Sequence, residues 1–256
     1  MDKGSYVAAS GSIAQERAME YISNNMANMN TPGFKADRAI FESYLKDNLK
    51  PGAGIGTRAE IASGYLPQSK NDSTYLVASG KFTDFSQGAL RQTDSPLDIA
   101  LEGDGFIALL TPDGEKYTRG GSFTVGREGY LETLDGNVVI DRQNSPIRLD
   151  EGAFHIREDG TIAGSNGEDI AQLKVVKFAD NEVLKKEGNS LYLAENMENT
   201  SWSDAIVKQG FQEGSNINPV SEMAKMITAL RQYSTFQKAI QSEDEMNSKL
   251  INQVAR

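Results

Sequence analysis

The sequence predicts an α+β protein. A discontinuous domain of long N- and C-terminal helices, paired as a coiled coil, accompanies a central antiparallel all-β domain, the two joined by an extended connector. Three observations carry this. Val220 to Arg256 contains no proline and no glycine and sets large apolar side chains at helical spacing. The one stretch that resembles it lies at the other end of the chain, in Met1 to Asn30. Between them, Asp-Gly or Asn-Gly pairs at 113–114, 135–136, 159–160 and 166–167 punctuate short apolar runs. Such pairs are the strongest local signals of β-hairpins, because the tight primed turns need positive φ.

The N-terminal helix spaces its apolar residues as Tyr6, Ala9, Ile13, then Met19, Ile22, Met26 and Met29. It stops at Asn30-Thr31-Pro32-Gly33, since proline disfavours helical geometry before it and glycine permits the turn. Asn24, Asn25, Asn28 and Asn30 crowd its end. Asparagine is mediocre inside a helix, so the cluster reads equally as a solvated helix end or as side-chain hydrogen bonds that fix register between packed helices. Arg38 to Lys50 has some helical character through Ile40, Phe41, Tyr44 and Leu45, broken by Pro51-Gly52-Ala53-Gly54-Ile55-Gly56. The region 35–75 reads as an extended connector with little core of its own.

From 76 to 213 the pattern is β. Apolar or alternating runs recur at Phe106–Leu110, Ser122–Val125, Tyr130–Leu134, Val138–Ile140, Leu173–Phe178 and Leu191–Leu193. Asp113-Gly114, Asp135-Gly136, Asp159-Gly160 and Asn166-Gly167 separate runs of this kind. The last helix opens at Asn218-Pro219 with an N-cap, a proline at the first helical position and Glu222 in the first turn. Met223, Met226, Ile227, Leu230 and Tyr233 step by three and four, and Phe236, Ile240, Leu250, Ile251 and Val254 continue the stripe. The expected domains are therefore 1–34 with 214–256, then 35–75, then 76–213.

A C-terminal helix on the order of 50 Å long carries more apolar surface than one partner helix can cover. Burying about a dozen large side chains is worth ~20 kcal/mol or more, and a helix pair buries a single seam. The remainder must find other subunits, a membrane or disorder. The ends are expected to be poorly ordered in a free monomer and ordered in a polymer, because isolated helices depend on tertiary burial.

Composition narrows the function classes. The net charge is −10, from 36 acidic and 26 basic residues. The ends are near neutral, with six basic and six acidic residues in 1–50 and five and four in 215–256, which leaves an acidic middle. An acidic surface discourages phosphate-backbone binding, so nucleic acid is not an expected partner. No apolar run approaches the ~20 residues that span a bilayer, so no membrane insertion is expected. Near-neutral ends without flanking Lys/Arg clusters also argue against a membrane-surface binder. The N-terminus lacks an apolar signal-peptide core. Zero cysteines exclude disulfides and thiolate chemistry together, and fit a chain that must travel unfolded through an export channel.

Catalytic and cofactor motifs are weak. The single histidine, His155, has neither a second histidine nor a cysteine beside it, and reads as structural. Asp94, Asp98, Glu102 and Asp104 could form a glycosidase-like carboxylate pair, but aspartates beside Ser, Pro and Gly more often stabilise turns. Gly103-Asp104-Gly105 lacks the third glycine of a dinucleotide loop, and no phosphate loop or calcium loop is present. No catalytic, cofactor or metal residue is assigned, and the chain is read as a non-enzyme. A secreted carbohydrate-active enzyme built on the β domain is the competing class.

Several motifs coincide with a known family. Asn24-Asn25-Met26-Ala27-Asn28-Met29-Asn30-Thr31-Pro32-Gly33-Phe34-Lys35 resembles the N-terminal signature of the flagellar basal-body rod and hook proteins. Gly88-Ala89-Leu90-Arg91-Gln92-Thr93 with Leu97 to Phe106, then Tyr117-Thr118-Arg119-Gly120-Gly121-Ser122-Phe123 with Gly129-Tyr130-Leu131, are similar to two further blocks of that family. Gly214-Ser215-Asn216-Ile217-Asn218-Pro219-Val220, followed by Glu222-Met223 and Met226-Ile227, resembles its C-terminal signature. Size and the Asn218-Pro219-Val220 variant look most similar to the proximal rod subunit, with the distal rod or hook subunit as the alternative. The resemblance implies terminal helices lining a hollow axial rod, a β domain outside them, and neighbouring rod proteins and surrounding basal-body rings as partners. It also implies location in the periplasmic rod after flagellar type III export without a cleaved signal. Met223, Met226, Ile227, Leu230 and Tyr233, faced by Ile22, Met26 and Met29, are the expected assembly seam. Asn24, Asn25, Asn28, Asn216 and Asn218 are expected to set its register.

Overall fold

The computed structural model describes residues 3–45, 74–149, 154–188, 190–194 and 200–254. Helix α1 (Lys3–Ala27) opens the described chain and helix α2 (Pro219–Val254) closes it. Between them lie β1 (Ala36–Leu45), β2 (Thr74–Asp84), β3 (Leu90–Gln92), β4 (Ile99–Glu102), β5 (Phe106–Thr111), β6 (Gly114–Thr118), β7 (Phe123–Val125), β8 (Leu131–Thr133) and β9 (Val138–Val139). The strands continue as β10 (Phe154–Ile156), β11 (Thr161–Gly164), β12 (Asp169–Gln172), β13 (Val175–Phe178), β14 (Leu184–Lys186), β15 (Leu191–Ala194), β16 (Thr200–Trp202), β17 (Ile206–Gln209) and β18 (Phe211–Glu213). Terminal helices around an antiparallel β-rich middle make the chain α+β. Two compact units divide it: residues 1–23, 38–82 and 223–256 form one, and 24–37 with 83–222 the other.

In the larger unit, β5 is apolar at almost every position because it is buried on both faces. Successive side chains of a strand point to opposite sides. Phe106 and Ala108 accordingly enter one core with Tyr117, Ile140, Val176, Phe178, Leu184 and Tyr192. Ile107 and Leu109 enter the other, with Ile99, Leu101, Phe123, Leu131, Val139, Ile162 and Leu173. β5 pairs with β6, β9 and β13, all antiparallel. The four Gly pairs sit at hairpin connections: Gly114, Gly136, Gly160 and Gly167 all have positive φ and lie at the β5–β6, β8–β9, β10–β11 and β11–β12 turns. The late strands then return to the early ones, β17 pairing with β4 and β18 with β3. That return sets Glu213 opposite Leu90.

In the smaller unit, the Ser5 hydroxyl donates to Glu243 Oε2 at 2.6 Å, and Gly11 lies so close to Phe236 that a Cβ there would stand 2.6 Å from the ring. As α1 advances from 5 to 11 its contacts on α2 recede from 243 to 236, so these segments run antiparallel. The residues of α2 shielded from solvent include Met226, Ala229, Tyr233, Phe236, Ile240, Glu243 and Asn247, and those of α1 include Ala8, Gly11, Gln15, Ala18 and Ile22. Both named series step by three and four, and on α1 they lie within a wider shielded face that also holds Ser12 and Ala14.

One local expectation is corrected. Arg38 to Leu45 is not helical: Ala36–Leu45 is the strand β1, paired with β2. The helical spacing of Ile40, Phe41, Tyr44 and Leu45 is overridden because the backbone at Asp37 is gripped in extended form. The Asn25 amide donates to Asp37 O at 2.8 Å and its carbonyl accepts from Asp37 N at 3.0 Å, as a neighbouring strand would. The rest of the expected connector, 46–73, and the side chains of Leu250, Ile251 and Val254 lie outside the described residues.

Candidate functional site

A buried carboxylate must be paired, and Glu213, with 0% of its surface exposed, is paired twice. Lys35 Nζ lies 2.6 Å from its Oε1 and Arg119 Nη1 lies 3.1 Å from its Oε2. The Gly88 amide also donates to Oε1 at 2.8 Å. Lys35, itself at 0% exposure, donates to Ser86 O at 2.8 Å, and Arg119 Nη2 to Gly103 O at 2.7 Å. Burial pulls the Lys35 pKa below its ordinary value, and the adjacent Glu213 charge opposes that pull. Beside this trio, Lys186 Nζ donates to Lys35 O at 2.8 Å, pairs with Asp37 Oδ2 at 3.3 Å and sits 3.5 Å from the centre of the Phe34 ring.

The predicted asparagines divide around this junction. Asn25 is buried and holds Asp37 as described, with its amide also 3.5 Å from Glu222 Oε2. Asn216 holds the residue next door: its Oδ1 accepts from Ala36 N at 2.9 Å and its amide donates to Asp84 O at 2.7 Å. Asn218 is the N-cap of α2, its Oδ1 accepting from Val220 N at 3.1 Å and Ser221 N at 3.2 Å. Asn28 donates back to Asn24 O at 2.9 Å, while the Asn24 side chain is exposed. Asn25 and Asn216, from opposite ends of the sequence, thus fix adjacent residues of one strand.

The apolar positions divide as well. Met226 and Tyr233 lie on the shielded stripe of α2, and Ile22 and Met26 are half-buried on α1. Met223, Ile227 and Leu230 are 49%, 52% and 50% exposed, with Val220 at 76% and Met29 at 37%. Val220, Met223, Ile227 and Leu230 each follow a shielded residue by one position. They form a second stripe about 100° around the helix from the first. Sequence reasoning missed Lys35, Arg119, Glu213, Asp37 and Lys186. Lys35 and Arg119 stood inside the quoted motifs, each a lone charge among small and apolar residues, and that isolation was the available signal. Three of the four carboxylates weighed for catalysis have polar partners near the surface, Glu102 pairing with Lys208 at 2.5 Å. Asp104 pairs with Lys177 at 3.0 Å on the surface, and Asp94 accepts from the Gln92 amide at 2.7 Å.

Residues 6–35 match the family described as flagella basal body rod protein. Residues 100–164 match the flagellar hook protein FlgE/F/G D1 domain, and 208–253 match the flagellar basal body rod FlgEFG protein C-terminal region. The chain is 32% identical to the flagellar basal-body rod protein FlgG of Caulobacter vibrioides over 93% of its own length and 94% of that protein. It is 32% identical to FlgG of Bacillus subtilis (96% and 97% covered), and 31% identical to the flagellar hook-basal body complex protein FlhO of the same organism, with both chains fully covered. The chain belongs to the flagellar basal-body rod and hook protein family. Within that family it is a structural subunit of the basal-body rod, not an enzyme. The three matched segments contribute Asn25 and Lys35, Arg119, and Glu213 with Asn216 to one buried junction. No described helix is long and apolar enough to cross a membrane.

Proposed function

We propose that this rod subunit polymerises through its terminal helices into a hollow axial shaft that transmits torque, with α1 and α2 packed as a coiled-coil inner layer and the β domain outside. The observation that supports this is the second stripe on α2. Val220, Met223, Ile227 and Leu230 leave 49% to 76% of their surface to solvent in a single chain, at the spacing of a helix seam. Covering the exposed half of each is worth roughly 1 kcal/mol, an incentive that only another molecule can collect. The three-and-four spacing of the shielded positions on both helices supports the coiled-coil reading. Under this proposal 1–34 with 214–256 is the inner domain, 35–75 a connector and 76–213 the outer domain. Asn25, Asn216 and Asn218 hold the register in which the inner helices meet their neighbours.

Other rod proteins above and below, the surrounding rings, the flagellar type III export apparatus and a periplasmic position follow from the same proposal. The proximal rod is its most specific form, the distal rod or hook its alternative. Leu230→Asp tests it. The change leaves the isolated chain within about 0.5 kcal/mol of the parent, as expected of an exposed site, while incorporation into basal bodies is lost. Normal rods built from the variant contradict the proposal.

A further inference from the structure

Among the described residues, one arginine without an acidic partner stands in an aromatic setting. Arg142 stacks on Trp202, 4.9 Å from the ring centre, and has no carboxylate partner among the described residues. Trp202 is 52% exposed. The two line a groove of about 350 Å³ with Tyr117, Lys174, Val176 and Ser201. Exposed Trp and Arg are the side chains that dominate protein interfaces.

The opposite feature stands on the same unit. The β8–β9 turn carries Leu134, 78% exposed, followed by exposed Asp135, which has no cationic partner among the described residues. Gly136, with φ of 82°, makes the turn. Chain from this tip runs through β9 to Asp141 in extended pairing, Ile140 bridging Pro146 and Asp141 bridging Leu173, and Arg142 opens the turn that follows. At about 3.3 Å per residue the tip and the groove are on the order of 20 Å apart. One molecule therefore cannot bring its own leucine and aspartate to its own tryptophan and arginine.

We infer that the β domains of successive copies lock head to tail, the Leu134-Asp135 tip of one seating in the Arg142–Trp202 groove of the next. An apolar tip with a carboxylate matches an aromatic floor with a free guanidinium. Two different surfaces at opposite ends of one strand also make a heterologous contact, the kind that propagates rather than closes. This deepens the polymer reading and rests on it: the helices supply the inner contacts and this one the outer.

The absence of native cysteine allows a direct test on the full-length chain. Basal bodies built from a Leu134→Cys/Ser201→Cys variant are oxidised and run on a non-reducing gel. The inference predicts a ladder of covalent multimers, absent from either single variant. Assembled rods that yield only monomer overturn it and leave the polymer reading intact, whereas failure of the parent chain to assemble overturns both. Charge reversal gives a second readout. Asp135→Arg and Arg142→Asp each lower incorporation about tenfold, as loss of a desolvated charge pair does, with unchanged melting of the free chain. The double reversal restores it. Absence of that rescue, or loss traced to some other molecule held in the groove, contradicts the inference.

Discussion

Glu213 concentrates the chemistry of the fold at a single carboxylate. With Lys35 and Arg119 on its two oxygens, removal of the carboxylate strands two buried cations. Glu213→Ala is expected to cost about 3–5 kcal/mol, read from urea unfolding of the free chain; a loss under about 1 kcal/mol contradicts the role assigned to it. Tyr117 and Tyr192 set a pH limit. Burial is the main cause that raises both phenols above their ordinary value of 10.0, and the carboxylates of Glu115 and Asp37 add to it. A raised phenol favours the neutral form in the folded state, so its contribution is complete below pH 10 and is lost as pH climbs beyond it. Lys35 acts oppositely, because its lowered pKa makes stability rise as pH approaches its ordinary 10.5. The expected result is a fall in melting temperature above pH 10 that is steeper in the parent than in a Tyr117→Phe/Tyr192→Phe variant. Parallel profiles contradict it.

At the scale of elements, Gly33 is the tightest link between α1 and the strand after it. Its φ is 65°, and a side chain there would overlap the Arg119–Gly120 peptide, which is backbone and cannot step aside. Gly33→Ala is expected to cost on the order of 1–3 kcal/mol for the strained backbone alone, visible as a lowered urea midpoint; an unchanged midpoint contradicts the packing described. How much could be read beforehand follows the range of the forces. Both helices, the Asn218 cap and the four glycine turns were legible, because each is set by neighbours within a few residues. β1 was not, because Asn25 and Asn216 dictate its backbone from far along the chain. Asn24, Asn25 and Asn28 were marked by their clustering at a helix end, Asn216 and Asn218 by the C-terminal motif. The ion trio was not, because a lysine, an arginine and a glutamate far apart in sequence show nothing of their common burial until β18 returns to β3.

For the whole molecule, one chain completes its β cores and its polar junction but not its helices. An acidic middle keeps copies soluble, while near-neutral ends with exposed apolar stripes give them reason to associate. The same division separates what mutation should disturb: Glu213 and Gly33 act on the folding of a single chain, and Leu230 on what it joins. The central claim, that the terminal helices are the inner wall of a tube and the β domain its outside, is tested most directly by a cryo-EM map of isolated basal bodies containing this chain. The account predicts α1 and α2 lining the axial channel, with Met223, Ile227 and Leu230 buried against neighbouring subunits. A map with the β domain at the channel, or with those three side chains still facing solvent in the assembled rod, contradicts it.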